Sequence, residues 1–117
     1  MILLPFDARD GSPNFRMGVT LDFGVPYLFD VRWNARAASW YFDMFEADET
    51  PIISGVRIVL GTYLGRRCTH DFFRRGVLVA VDTSGAGRDA GLDDLGARVQ
   101  VRRYLAQEVI QGRYGFL

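Results

Sequence analysis

Alternation of apolar and polar residues runs through most of this chain. From Phe15 to Phe23 the odd positions are Phe15, Met17, Val19, Leu21 and Phe23, and Arg16, Gly18, Thr20 and Asp22 fall between them. A period of two predicts a strand with one buried face, which assigns Phe23 to the apolar face and Asp22 to the polar one. Gly24-Val25-Pro26 then predicts a break. Tyr27, Phe29, Val31 and Trp33 share one face of a second strand, to Asn34, with Asp30 and Arg32 on the other. After a connection over residues 34–39, Trp40, Phe42 and Met44 mark a third strand to Glu46. Strands two and three form a hairpin with Trp33 and Trp40 near its closed end, placed to face each other and fix the register.

A polar turn, Ala47 to Pro51, leads to an apolar stretch from Ile52 to Leu60 that is expected in the core, with a bulge or bend at Gly55. Residues 61–75 carry no clear period; Tyr63, Leu64, Phe72 and Phe73 are placed to anchor a loop or short helical turn. Gly76 to Asp82 predicts a strand. Thr83 to Gly96, with four Gly and several charges, predicts a long exposed loop. Alternation resumes from Ala97 to Leu105, with Val99 and Val101 on one side and Arg98, Gln100 and Arg102 on the other. Six or seven short strands with hairpin connections predict an all-β fold, an antiparallel β-sandwich or a partly open small β-barrel.

Composition agrees with one β domain over 1–117, its tail from about 106 extended. The chain has 117 residues, 49% hydrophobic and 14% aromatic, enough for a core without staples. All 14 basic residues are Arg, balanced by 14 acidic ones, so no basic surface for nucleic acid is expected. Cys68 stands alone, which excludes an intrachain disulfide. The apolar start, Met1 to Asp7, lacks the basic and long hydrophobic regions of a signal peptide, and no run is long enough to span a membrane as a helix.

The search for chemistry yields little. Cys68 and His70 lack an orienting third group and are too few ligands for zinc. Val81-Asp82-Thr83-Ser84-Gly85 resembles the catalytic loop of retroviral aspartic proteases. Ser84 stands where that loop needs Gly, and the Gly65-Arg66 pair comes before the Asp rather than late. Gly85, Gly87 and Gly91 are one residue too widely spaced for a dinucleotide loop, and no helix pattern follows. Asp89, Asp93 and Asp94 lack the register of a calcium loop. No catalytic, cofactor-binding or metal residue is assigned, and no cofactor is expected.

One run is more telling. Val31-Arg32-Trp33-Asn34-Ala35-Arg36, three turn residues, then Trp40-Tyr41-Phe42-Asp43 resembles the signature of the baseplate plug proteins of minimal contractile-tailed phages and prophages. Pro51 to Val59, Gly76 to Asp82 and Leu95 to Leu105 are similar, in order, to later strands of that family. The resemblance covers residues 13–105 and stops before 106–117.

It implies a virion structural protein, assembled in the host cytoplasm, that plugs or caps the tail axis against hub and tube proteins as a homo-oligomer, with no membrane contact and no nucleic-acid specificity. Trp33, Asn34, Arg36 and Trp40 are its structural motif: Asn34 is expected to take the unusual backbone angles of the turn and Arg36 to hold Asp43 or Asp30. Arg66, Phe72, Phe73 and Tyr114 are candidate partner contacts, on segments expected to be mobile until assembly, because aromatics and Arg dominate interface hot spots. The alternatives are a tail-tip or tube-initiator protein of a non-contractile tail, the protease, and a carbohydrate-binding module, which needs several of Tyr27, Tyr41, Tyr63 and Tyr114 together on the surface.

Overall fold

The computed structural model describes residues 2–6, 13–91, 94–106 and 108. Its strands are β1 (Ile2–Leu3), β2 (Asn14–Leu21), β3 (Val25–Asn34), β4 (Ser39–Glu46), β5 (Pro51–Arg57), β6 (Tyr63–Leu64), β7 (Gly76–Asp82) and β8 (Val99–Leu105), and a short helix, α1 (Asp71–Arg74), precedes β7. They form two antiparallel four-stranded sheets, ordered β1-β8-β7-β6 and β2-β3-β4-β5. The fold is an all-β sandwich, and the described strands do not close into a barrel.

The alternation read from the sequence sets the inner faces. Tyr27, Phe29 and Val31 of β3, and Trp40, Phe42 and Met44 of β4, are buried; Leu78 and Ala80 of β7 and Val99 and Val101 of β8 meet them from the other sheet. Phe6, on the segment after β1, fills the space between the layers, its ring 5.2 Å from Phe29 and 6.2 Å from Phe42. Dispersion summed over such close-packed rings, with the apolar area withdrawn from water, is the main force holding the layers together.

Three expectations are corrected. The first strand ends at Leu21, and a 3-10 turn over Asp22–Gly24 follows, so Val25 and Pro26 begin β3 rather than break the chain. Pro26 pairs with Thr20 of β2 near the turn and lies one residue outside the β3–β4 ladder, which starts at Tyr27↔Glu46; ladder ends of this kind tolerate a proline. The turn also inverts the pattern: Asp22 is buried and Phe23 is 84% exposed. Second, of the stretch from Ile52 to Leu60 only Ile58 is fully in the core; β5 itself is a half-buried edge, its Ile52, Ile53 and Val56 packed against the core from the side. Its pairing with β4 slips at two places, once across Ser54 and Gly55 (φ +67), where the Gly55 N–H donates to Asp43 Oδ1 at 2.7 Å, and once at Ile52. Such bulges guard an edge against stray pairing. Third, the loop from Thr83 to Gly96 is tied down in its described part. Ala90 and Leu95 lie in the core, and Leu60 N–H donates to Asp89 Oδ1 at 2.9 Å.

Candidate assembly surfaces

The sandwich has two poles. At one, Trp33 and Trp40 are register partners, ring centroids 5.6 Å apart. They are not equivalent. Trp40 is wholly buried, and its indole Nε1–H donates to Gly91 O at 2.9 Å; Trp33 is only partly buried. Asn34 closes the turn through its side chain, Oδ1 accepting from Ala37 N–H at 3.0 Å, while Ala38 (φ +49) takes the left-handed backbone expected of Asn34. An Asx side chain can mimic a backbone turn in this way. Arg36 is exposed on the turn, and the carboxylates it was expected to hold have other partners: Arg32 holds Asp43 at 2.8 Å, and Arg16 holds Asp30 at 2.6 Å.

The glycine-rich loop covers the same pole, and Arg98 is its staple. Its Nη1 donates to Asp82 Oδ2 and to Arg88 O, at 2.8 and 2.7 Å. Its Nη2 donates to Asp89 O at 2.9 Å and to Asp94 Oδ2 at 3.0 Å. Asp82 also accepts from the Ser84 N–H and hydroxyl and from Gly87 N–H. Those bonds, those to Ser84 foremost, hold its carboxyl well below the ordinary value. This is a loop anchor kept ionised, unlike a protease dyad that must share a proton.

Cys68 and His70 are likewise occupied structurally. His70 caps α1, Nδ1 accepting from Phe72 N–H at 3.1 Å, and its Nε2 lies 3.3 Å from Glu46 Oε1. The Cys68 thiol lies 3.7 Å from Ile52 O. Among the described residues no three His, Cys, Asp or Glu side chains converge as metal ligands. Tyr27 is buried, Tyr41 lies on one sheet and Tyr63 on the other, so these three do not form a sugar platform.

At the opposite pole stands a feature that the sequence reading missed. Arg103 follows Val99 and Val101 on the inward face of β8. Its Nη2 donates to Asp22 Oδ2 and to Phe72 O, each at 2.6 Å, and its guanidinium lies 3.6 Å from the Phe72 ring centroid. Both charged side chains are fully buried. Gly76 makes room for the pair, since a Cβ there would lie 3.0 Å from Arg103 Cζ and inside contact distance of Tyr104 O. Extending the odd-position pattern two residues past Val101 was the signal available for Arg103.

This cluster takes in one of the four proposed partner contacts. Phe72, expected as an anchor on a mobile segment, is fully buried, packed edge-on against Tyr27 at 5.0 Å and beneath Arg103. It sits in its own core because α1 is capped at His70 and pinned through the Phe72 carbonyl. Phe73 is half-buried and stacks edge-on with Phe72 at 5.0 Å. Arg66 is exposed. Tyr114 lies outside the described residues.

Beside the buried pair, the β2–β3 turn closes with Val25 N–H donating to Asp22 O. Its central residues, Phe23 (φ +57) and Gly24 (φ +80), are both left-handed. Turns of this kind favour Asn-Gly, and a left-handed L-residue costs roughly 1–2 kcal/mol, so Phe23 is held in a strained position.

A family model described as "Cyanophage baseplate Pam3 plug gp18" matches residues 1–105. No curated protein matches the chain. The match takes in both sheets, the Trp33–Trp40 hairpin and the Asp22–Arg103 pair. It begins before the stretch recognised in the sequence and ends where that stretch ended. By this match, the chain belongs to the phage baseplate plug family.

Proposed function

We propose that this protein is a structural component of the phage tail baseplate that sits on the tail axis and closes the lumen against hub and tube proteins until ejection. The family match over residues 1–105 carries the reading. The physical make-up supports it. The polar groups with the most chemical promise, Asp82, His70 and Cys68, are engaged in holding loops and a helix end.

Under this reading the chain works as one domain over 1–117, in several copies around the axis, is assembled in the host cytoplasm and acts without catalysis. Arg66 and Phe73, accessible or half-accessible at the α1 side, remain proposed contacts, and Tyr114 is proposed with them. The test is deletion of the gene from its phage or prophage. Tails should lack axial density at the baseplate, and the purified protein should restore it. Tails that assemble complete without the protein would refute the role. A neighbouring gene set without a sheath gene would move the protein to the tip of a non-contractile tail.

A further inference from the structure

We propose that Phe23 is a docking knob that seats this chain in an apolar socket with a basic rim on another tail protein. The inference rests on the baseplate reading and adds the place and chemistry of one contact.

Four observations converge on the β2–β3 turn. Phe23 is 84% exposed, so it adds almost nothing to this chain's own core. It occupies a left-handed position that favours Asn, so its presence there works against the fold. The residue before it, Asp22, is locked inward by the fully buried bond to Arg103, which fixes where the turn projects. The surroundings are apolar too. The large hydrophobics exposed among the described residues are Ile2, Leu3, Phe23, Val25 and Tyr63; Val25 closes the same turn as Phe23, and Ile2 and Leu3 lie on the edge strand β1. Ile2 and Leu3 pair with Arg103 and Arg102 of β8, and Arg103 is the residue that grips Asp22. A strained aromatic, buried in nothing and rigidly mounted, is what a hot-spot anchor requires.

The turn also defines its partner. From Thr20 to Pro26 the one ionisable group is Asp22, and it is withdrawn into the core. The tip is therefore convex and uncharged, and its complement is concave and apolar. Next to it, Val25, Pro26 and Tyr27 line one groove with Glu46, Ala47 and Asp48 of the β4–β5 turn. Arg75 reaches the Tyr27 hydroxyl at 3.3 Å and His70 faces Glu46. Exposed Asp48, held by Thr50, has no cation drawn against it among the described residues, and that acidic side of the groove calls for a basic rim. It disfavours an anionic lipid surface, and it disfavours a second copy meeting tip to tip, which would bring two acidic turns together.

The experiment uses the full chain in two variants, Phe23→Asn and Phe23→Leu, each supplied to tails made without the protein. Asn suits the backbone, so the melting temperature of Phe23→Asn should equal or exceed that of the parent. Its incorporation, counted as copies per tail by mass spectrometry, should fall at least about tenfold, as for loss of an interface anchor. Phe23→Leu keeps the apolar knob and should retain much of the binding. Normal incorporation of Phe23→Asn would overturn the proposal while leaving the baseplate reading intact; a parent chain that never enters tails would instead overturn that reading. Sedimentation showing a parent dimer that Phe23→Asn abolishes, with tail entry unchanged, would refute the tail-protein socket in favour of a second copy. Flotation of the parent, but not Phe23→Asn, with phosphatidylcholine or phosphatidylglycerol vesicles would refute it in favour of lipid.

Discussion

Asp22 and Arg103 stand 81 positions apart in the chain, yet their side chains meet at 2.6 Å with no access to solvent. The pair joins the end of one sheet to the last strand of the other, and Arg103 also holds α1 through the Phe72 carbonyl. Desolvating two charges offsets much of their attraction, so the net gain over an apolar pair is small, but removing one partner strands the other. Asp22→Ala or Arg103→Ala should each cost about 3–5 kcal/mol in denaturant melts. The double variant Asp22→Leu with Arg103→Met should recover much of that loss. Single variants within about 0.5 kcal/mol of the parent, the range of ordinary surface changes, would show that the pair does not brace the fold.

The two tryptophans of the family signature should differ. Trp40 is wholly buried and hydrogen-bonded to Gly91 O, so Trp40→Ala should cost about 3–5 kcal/mol and loosen the glycine-rich loop. Trp33 keeps part of its surface in water, so Trp33→Ala should cost clearly less. Thermal melts of both variants check the order, and equal losses would contradict it.

Acid should release the loop stapled by Arg98. Both Asp82 and Asp94 are lowered from the ordinary 3.8, Asp82 chiefly by Ser84 and Asp94 chiefly by Arg98. A lowered carboxylate contributes stability that is full above its unfolded value and is lost as pH falls through the folded one. Hydrogen-exchange protection at Ser84, Gly87 and Gly91 should therefore hold near neutral pH and begin to fall below about pH 4. Asp82→Asn should weaken that protection at neutral pH and flatten the acid response. Protection independent of acid in the parent would contradict the staple.

The sequence carried most of the fold because strand periodicity is local. The inner faces of β3 and β4 follow directly from alternating residues, and the Trp33–Trp40 pairing follows from the short connection between them. What escaped depends on distant partners. Alternation assigned Phe23 to the apolar face and Asp22 to the polar one, yet a turn and an arginine 81 residues away reverse them. The loop from Thr83 looked free because its glycines and charges are individually loop-like, and nothing local shows that Arg98 gathers Asp82, Asp94 and two carbonyls. Phe72 looked available as an anchor for the same reason: the Arg103 and Tyr27 that enclose it come from strands remote in sequence.

The central claim is a place on the tail axis, and electron cryomicroscopy of intact, unfired tails tests it most directly. The expected result is two-sheet density matching this sandwich on the axis at the baseplate, blocking the lumen and touching hub or tube subunits. Such density should be missing or displaced in fired tails. An intact tail whose axis is closed by another protein, with this chain off the axis or absent, would contradict the account.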